Sequence, residues 1–477
     1  MSNRNIIVAG VLLIVLLLGI FLALLLFSGD KGPSKKELQE ASKPVTLTYW
    51  RAFDGDDAVR DIISAYTAMH PNVSIQVRKL RFEEYESALV NAFAEDRGPD
   101  LFSIHNTWID RYLPKLAYMP SEMNLAFFKE SGGGFQKKVQ VTIDTIAGLS
   151  LRELQEQFLD IVVSDVVREV DKAPRIVGLP YFVDVLALFY NKDLFNNAGI
   201  GAPPRTWTEF GNMVAGERLT VKDKATGEIK TSGAAFGGSR NVQRAPDILA
   251  TLMMQNGAQM IKNGILNFDQ TPSYLPNQDI NPAVNSLMFY TDFAAPTLDL
   301  YTWDEKMPDS FEAFTQGITA MFFGYSYHAD QLRTLNPRTR YGIVPIPQLN
   351  QELQAVTGNY WIETVSKKST HQDYAWDFLR FATSKENVTK YLTATKKPTA
   401  LRALIEEQKK DDTLYPFAVQ LLIAKSWFHG RNPDIMERAF YDMIAEALLT
   451  KGGTRSEEQE AFGPIIQKAK QIIQEGY

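Results

Sequence analysis

One carboxylate in the sequence lies inside a segment that is otherwise apolar. Asp184 occupies the middle of "GLPYFVDVLALFYNKDLF", residues 178–195, which has the composition of a buried strand. An unpaired carboxylate is costly to bury, so Asp184 requires a partner. That partner is either a group of the protein, in a salt bridge or a helix cap, or a ligand whose hydroxyl groups donate to the two carboxylate oxygens.

Four further candidate ligand-binding residues lie at or just after the ends of two predicted strands. Trp50 and Asp54 come at the end of "VTLTYW" and in the residues after it, and Asn106 and Trp108 follow "PDLFSIH". Aromatic faces combined with a few polar groups are typical of small-molecule sites. Asp54 has a rival role, since an aspartate just ahead of a helix is often its N-cap.

The elements that must position these residues alternate between strand and helix. "VTLTYW", "VSIQVR" and "PDLFSIH" alternate or are buried like strands, and "DDAVRDIISAYTAMH" has helical periodicity. A strand–helix–strand order predicts parallel strands with right-handed crossovers. Ligands of open parallel sheets bind beyond the carboxyl ends of the strands, which is where the four candidates lie. The sequence therefore predicts an α/β protein with its site at this edge.

Composition and missing motifs argue against several classes of function. The chain has 477 residues, enough for two lobes, and a net charge of -6, which argues against a nucleic-acid partner. It has no cysteine, and its five histidines are scattered, so we expect no metal site and no cofactor. "GYSYH" lacks the closing glycine of a nucleophile elbow, and "GAAFGGS" has no P-loop lysine. These absences favour a binding protein over an enzyme.

The N-terminus predicts a membrane anchor. After a short tail of residues 1–5, residues 6–27 form an apolar run long enough to cross a bilayer. No A-x-A-like cleavage site follows it, which favours an uncleaved single-pass anchor in the cell membrane. Residues 28–44 are predicted to be a polar tether. Further along, residues 120–175 are predicted to be helical and loop material around "SGGGF", with no assigned role.

The order of several short motifs resembles a known family. "YNKDLF", "AGI" and "PPRTWTEF" occur in that order, preceded by "HPNVSIQV" and "GPDLF" and followed by "FTQGITAMFFGYSY", "YGIVPIP", "VTGNYWIETVSKKS" and "AWDFLRFATS". In this order the chain resembles the extracellular solute-binding proteins of bacterial ABC importers, family 1, in the maltose-binding-like cluster that mostly carries sugars. The resemblance covers nearly all of residues 45–477.

The resemblance implies a two-lobed periplasmic-binding-protein-like fold with a hinge of crossing strands, and the apolar run of residues 6–27 predicts a transmembrane helix ahead of it. Lobe I is expected to comprise residues 45–183 with 362–398, and lobe II residues 184–361 with 399–477. The chain is expected to cross between the lobes near residues 183–187, 358–365 and 397–401.

The resemblance also implies roles for particular residues. Asp184 falls where many sugar-binding members carry a carboxylate that accepts hydroxyl hydrogen bonds. Tyr325 and Tyr327 lie near the position of a stacking tryptophan in the family. Asn106 falls near a frequent polar contact. A second set of candidates lies at the returning crossing: Asn359, Tyr360 and Trp361.

The remaining tryptophans divide into two groups. Trp207 and Trp376 lie in helical segments and are predicted to be core residues. Trp303 and Trp427 lie in predicted loops and remain candidates for ligand binding, because a flat ring can stack on the apolar face of a pyranose.

The resemblance implies a receptor that captures a mono- or oligosaccharide between its lobes, and together with the predicted anchor of residues 6–27 it predicts a monomeric, membrane-tethered receptor. The receptor would deliver the sugar to an ABC permease and its ATPase, with the soluble part on the extracytoplasmic side. Two alternatives stay open at this point: a secreted or anchored glycoside hydrolase, and a sugar-sensing receptor component that is not used for transport.

Overall fold

The structure is a computed structural model, and it describes residues 33–131, 138–215, 218–262, 264–276, 278 and 281–476. The tail of residues 1–5 and the predicted membrane span of residues 6–27 lie outside these residues. Among the helices of the described ranges, none combines the length and the apolar character needed to cross a membrane.

Strands and helices alternate along most of the chain. The strands are β1 (Val45–Arg51), β2 (Val73–Lys79), β3 (Leu101–His105), β4 (Glu122–Ser131), β5 (Lys138–Ala147), β6 (Val167–Val170), β7 (Ala173–Ile176), β8 (Asp184–Val185), β9 (Ala187–Asn191), β10 (Val221–Lys222), β11 (Ile229–Thr231), β12 (Ile261–Lys262), β13 (Ile265–Leu266), β14 (Met321–Gly324), β15 (Tyr341–Pro345), β16 (Val356–Asn359), β17 (Trp361–Val365) and β18 (Ala424–Lys425).

The α-helices are Lys35–Ala41, Asp56–Met69, Phe82–Ala94, Ile109–Tyr112, Leu151–Gln157, Asp160–Val166, Lys192–Asn197, Trp207–Val214, Ala245–Gln255, Pro282–Asp292, Ser310–Thr315, Ser326–Leu335, Gln372–Ala382, Lys385–Thr395, Ile405–Gln408, Tyr415–Ala418, Pro433–Leu449 and Arg455–Glu475.

Lobe I is built on a four-stranded sheet in the order β17-β3-β1-β2. β1 runs parallel to β2 and β3, and β17 runs antiparallel to β3. Alternate residues of β1 are buried, with Leu47 and Tyr49 fully enclosed, because one face of the strand packs on the core. The predicted parallel arrangement of the first three strands is confirmed.

Lobe II contains a three-stranded antiparallel sheet in the order β14-β9-β15. Phe189 of β9 lies opposite Phe322 on one side and Ile343 on the other. The helix Ala245–Gln255 is buried over its whole length and contacts β16 and the helices Pro282–Asp292 and Pro433–Leu449. The two-lobed α/β fold is therefore confirmed.

Three segments pair with one another between the lobes. β8 runs antiparallel to β16, with Asp184 opposite Asn359, and an isolated bridge joins Phe182 to Thr399. Gly178 lies close to β17, and a Cβ there would come within 2.9 Å of the backbone oxygen of Glu363. These pairings lie where the crossings were expected, and the residue limits of each lobe stay a prediction.

Residues 120–175 differ from the prediction. β4 and β5 form an antiparallel hairpin, and β6 and β7 form a second one, alongside two short helices. Helix and loop were predicted here, and that was wrong for the hairpins. The overlooked signal is an alternation of period two, since Met123 and Leu125 are buried while Asn124 is exposed. The glycines of "SGGGF" lie outside the described residues.

The predicted tether is described from residue 33 onward, and part of it is folded. The helix Lys35–Ala41 starts with a capping box, in which the Glu37 backbone N–H donates to Ser34 Oγ (3.3 Å) and the Ser34 N–H donates to the Glu37 carboxylate (2.6 Å). This helix packs on the β4–β5 hairpin. The chain is therefore docked on lobe I ahead of β1.

Candidate binding site

A cavity of about 470 Å³ lies where the three crossing segments meet. That volume is within the usual range for small-molecule sites. The lining residues are Phe53, Phe82, His105, Asn106, Thr107, Trp108, Phe182, Asp184, Arg244, Asp247, Tyr327, Gln331, Gly358, Asn359, Trp361, Lys397, Trp427, Pro433, Asp434, Met436 and Glu437. The structure thus brings seven of the predicted site residues together: Asn106, Trp108, Asp184, Tyr327, Asn359, Trp361 and Trp427.

The lobe I side of the cavity is a cluster of aromatic rings, which we call the aromatic wall: Phe53, Phe82, Trp108 and Trp361. Trp361 is central, with its ring centroid 5.0 Å from Phe53, 6.2 Å from Phe82 and 5.4 Å from Trp108. Phe53 and Phe82 stack on each other and are each about half exposed. The wall therefore offers accessible ring faces held in place by edge-on packing against Trp361.

Lobe II contributes aromatic groups from the other side. Tyr327 is partly exposed and stacks on the buried His328 ring, with a centroid distance of 4.1 Å. Trp427 packs on Phe440, and its indole N–H donates to Asp247 (2.8 Å). Both lobes therefore contribute aromatic side chains to the lining of the cavity.

Asn106 supplies a polar group whose acceptor is unused. Its amide nitrogen donates to Ser426 Oγ (2.9 Å) and lies 3.4 Å from Asp165. The side-chain oxygen of Asn106 is buried and has no hydrogen-bond partner among the described residues. Since buried polar atoms are almost always paired, this oxygen is suited to accept a hydrogen bond from a ligand or a bound water.

His105 fixes the orientation of Asn359. The Thr107 backbone N–H, which can only donate, points at His105 Nδ1 (3.4 Å), while Nε2 lies 3.1 Å from Asn359 Oδ1. Burial lowers the pKa of His105 to about 4, so the ring is neutral near pH 7. A neutral ring with Nδ1 as acceptor carries its proton on Nε2 and donates to Asn359. The Asn359 amide N–H groups are then left to donate into the cavity.

Asp184 lines the cavity and also accepts hydrogen bonds from other groups of the protein. Its carboxylate accepts from the Ser326 hydroxyl (2.6 Å), the Ser326 backbone N–H (2.9 Å) and the Val185 N–H (3.0 Å). Ser326 is the first residue of the helix Ser326–Leu335, so Asp184 caps that helix from another segment. Burial nevertheless raises the pKa of Asp184 to about 6.

The raised pKa of Asp184 predicts a specific dependence of stability on pH. Folded Asp184 holds its proton more tightly than the unfolded chain, so this group costs stability as the pH rises from about 4 to 6, by about 3 kcal/mol in all. Asp184→Asn removes that titration. We expect chemical denaturation to show that the free energy of unfolding of this variant, relative to that of the wild type, rises by about this amount between pH 4 and pH 7.

The control for this experiment is Asp330→Asn, which changes a half-exposed carboxylate on the helix that Asp184 caps. We expect its stability relative to the wild type to vary little over the same range. A constant difference between Asp184→Asn and the wild type at every pH would contradict the burial effect.

The charged groups of lobe II form a connected set. Arg244 donates to Asp247 (2.7 Å) and Glu437 (3.1 Å), and Asp247 also accepts from the Tyr325 hydroxyl (2.7 Å). Arg244 has the left-handed backbone conformation, with φ +58°, directly before the helix Ala245–Gln255. That conformation is uncommon for a residue with a Cβ, and it places the guanidinium at the cavity.

Two further ion pairs involve lobe I. Lys397, on the third crossing segment, pairs with Asp54 (2.6 Å). Arg111 reaches from lobe I to Asp434 (2.7 Å) and the backbone oxygen of Arg431 (3.1 Å), at the start of the helix Pro433–Leu449. The Arg111–Asp434 pair therefore joins the two lobes at the edge of the cavity.

Five predicted site residues do not line the cavity. Trp50 faces Arg78 on the sheet surface, with the guanidinium 4.5 Å from its ring, because alternation along β1 turns it away from the core face. Trp303 is buried in lobe II, where its N–H donates to Asn241 (3.1 Å). Tyr360 is buried and donates to Asp165 (2.6 Å).

The other two residues, Tyr325 and Asp54, do not line the cavity but hold side chains that do. Tyr325 is fully buried and holds Asp247. Asp54 holds Lys397 and accepts from the Tyr391 hydroxyl. The N-cap of the helix Asp56–Met69 is Gly55, so Asp54 does not cap it.

Several lining residues were not predicted. Phe53 lies in "RAFDG", just beyond β1, and could have been found by the rule that already selected Trp50. Phe82, Arg244, Asp247, Lys397 and Glu437 come from helix starts and loops. Their meeting depends on how the lobes pack, and short-range patterns in a sequence do not contain that information.

Comparison with known proteins gives a family and a fold. The model of the bacterial extracellular solute-binding proteins matches residues 53–389. A probable ABC transporter-binding protein of Deinococcus radiodurans is 23% identical over 302 residues, which are 60% of this chain and 68% of that protein. The diacetylchitobiose binding protein DasA of Streptomyces coelicolor is 24% identical over 367 residues, 75% of this chain and 73% of DasA.

Among solved structures, the maltose-binding periplasmic protein MalE of Listeria monocytogenes, in complex with maltose, superposes with a TM-score of 0.68. That likeness covers 91% of this chain and 98% of MalE at 16% sequence identity, and it supports the fold. The family match extends over more than half of the chain. The family is one of binding proteins, which confirms the prediction of a non-enzyme, and the chain belongs to the bacterial extracellular solute-binding proteins.

Proposed function

We propose that the protein captures a mono- or oligosaccharide in the cavity between its lobes. The observation that carries this proposal is the aromatic wall of lobe I together with the unpaired buried oxygen of Asn106. A pyranose presents an apolar C–H face and a rim of hydroxyl donors, which these two features complement. The sugars bound by DasA and MalE support the same ligand class.

The polar groups of the cavity suit a ligand that both donates and accepts hydrogen bonds. Asn106 offers an acceptor, and the amide of Asn359 offers donors. The Asp184 oxygens already accept from Ser326, so Asp184 contributes at most its remaining lone pairs. Hydroxyl groups can satisfy both an acceptor and a donor, which a purely apolar ligand cannot do.

We further propose that the bound sugar is delivered to an ABC permease and its ATPase by a monomer on the extracytoplasmic side of the cell membrane. The family name and the relative in Deinococcus radiodurans support transport. The apolar run of residues 6–27 supports a single-pass anchor that keeps the receptor near its permease.

Sugar binding is tested on the full chain, purified in a detergent that has no sugar headgroup. Mono- and oligosaccharides are compared with polyols, peptides and polyamines by thermal unfolding and calorimetry. A saccharide at 100 times its dissociation constant should stabilise the protein by about 2.7 kcal/mol. Stabilisation by a peptide or polyamine, and by no saccharide, would overturn the proposed ligand class.

A further inference from the structure

The charged groups that line the cavity are unequal in number. Among the lining residues of the described chain, four are carboxylates and two are cations. The carboxylates are Asp184, Asp247, Asp434 and Glu437, and the cations are Arg244 and Lys397. His105 is neutral near pH 7 because burial lowers its pKa to about 4. The lining therefore carries a formal excess of negative charge.

Neither cation is free to receive an anionic ligand. Arg244 is engaged by both Asp247 and Glu437. Lys397 pairs with Asp54, and its ammonium lies 4.2 Å from the centroid of the Phe182 ring. A bound carboxylate or phosphate would have to compete with these existing partners.

Two lining carboxylates have no cation of their own among the described residues: Asp184, which accepts from neutral donors, and Glu437. The cation partner of Glu437 is Arg244, and Arg244 also forms an ion pair with Asp247. Burial raises the pKa of Glu437, and the neighbouring Asp247 and Asp434 raise it further, while Arg244 opposes them. Asp434, in the first turn of the helix Pro433–Leu449, is paired with Arg111, so neither Arg111 nor the helix start compensates Glu437. A positive group would be favoured here.

We propose, resting on the saccharide function above, that the cavity selects sugars without acid groups and binds an amino group on the sugar unit beside Glu437. An ammonium group would form a charge-assisted hydrogen bond with this carboxylate. A uronate or a sugar phosphate would bring another negative charge into a partly desolvated site that already has an excess, and this repulsion is strong where water is excluded.

The test is a panel in which each sugar scaffold is supplied in three forms. Glucose-, galactose- and mannose-configured mono- and disaccharides are prepared as the neutral sugar, the 2-amino sugar and the uronate, and calorimetry is run on the full chain at low salt. For every scaffold that binds, we expect the amino form to bind at least as tightly as the neutral form, and the uronate to bind roughly tenfold or more weakly.

Glu437→Gln identifies the group responsible. We expect this variant to reduce the preference for the amino form over the uronate by roughly threefold to tenfold. The matched control is Glu446→Gln, which changes a carboxylate of similar exposure on the same helix that pairs with Lys468 outside the cavity lining. The control should leave the preference unchanged.

The outcomes separate this inference from the proposed function. A uronate that binds more tightly than its neutral counterpart would overturn the charge selection and leave sugar binding intact. Equal changes for all three forms in Glu437→Gln would overturn the role of Glu437. Failure of every scaffold in every form to bind would overturn the saccharide function itself.

Discussion

Replacing Trp361 by alanine is expected to weaken saccharide binding by about 100-fold or more. Trp361 is the ring against which Phe53, Phe82 and Trp108 pack, so its loss removes both a ligand surface and the support of the other rings. Truncating a buried tryptophan also costs about 3–5 kcal/mol of stability. Affinity is therefore measured by calorimetry well below the unfolding temperature of the variant.

The control for Trp361→Ala is Trp376→Ala. Trp376 is fully buried in the helix Gln372–Ala382 and does not line the cavity, so its loss should destabilise the fold to a similar degree without altering affinity. Where an alanine variant does not fold, the Phe variants at the same positions provide the comparison. Unchanged affinity in a folded Trp361 variant would contradict the role of the aromatic wall.

The second large effect is expected at Asp165, which is fully buried. Its carboxylate accepts from His429 (2.6 Å), Tyr360 (2.6 Å) and Ser426, and lies near the amide of Asn106. Burial opposes ionisation, but the hydrogen bonds from these groups hold the pKa of Asp165 below its usual value. Asp165 thus links its own helix, the returning crossing segment and the segment after β18.

Asp165→Ala leaves these buried donors without an acceptor, and we expect it to reduce the free energy of unfolding by about 3–5 kcal/mol in chemical denaturation. Asp160→Ala is the matched control, because Asp160 lies on the same helix, is exposed and pairs with Arg402 at the surface. The control should change stability by at most about 1 kcal/mol. Similar losses of unfolding free energy in both variants would show that the buried hydrogen bonds of Asp165 do not stabilise the fold.

The fold could largely be predicted because its signals are local. Alternation identified β1 and β2, and the order of strands and helices identified the parallel sheet of lobe I. The β4–β5 hairpin was missed although Met123 and Leu125 alternate with polar residues, because the glycine cluster suggested a loop. The pairing of β8 with β16 joins residues more than 170 positions apart along the chain, and in the sequence only the resemblance to a family indicated it.

The site could be predicted only in part. Residues on the crossing segments, such as Asp184 and Trp361, were found because the family resemblance marks those segments. Trp50 was misplaced because the strand-end rule was applied without the alternation that turns its side chain away. Asp247 and Glu437 could not be found from sequence, since they lie 190 positions apart on different helices and meet only through Arg244.

The docked helix Lys35–Ala41 indicates which lobe a membrane anchor in the preceding residues would be attached to. Because this helix packs on the β4–β5 hairpin, the N-terminal attachment is made to lobe I. With the chain anchored through residues 6–27 as proposed, the attachment to the bilayer would be on lobe I, and hinge closure would move lobe II relative to it. A permease surface that distinguishes the sugar-bound from the sugar-free receptor would then do so by contacting lobe II.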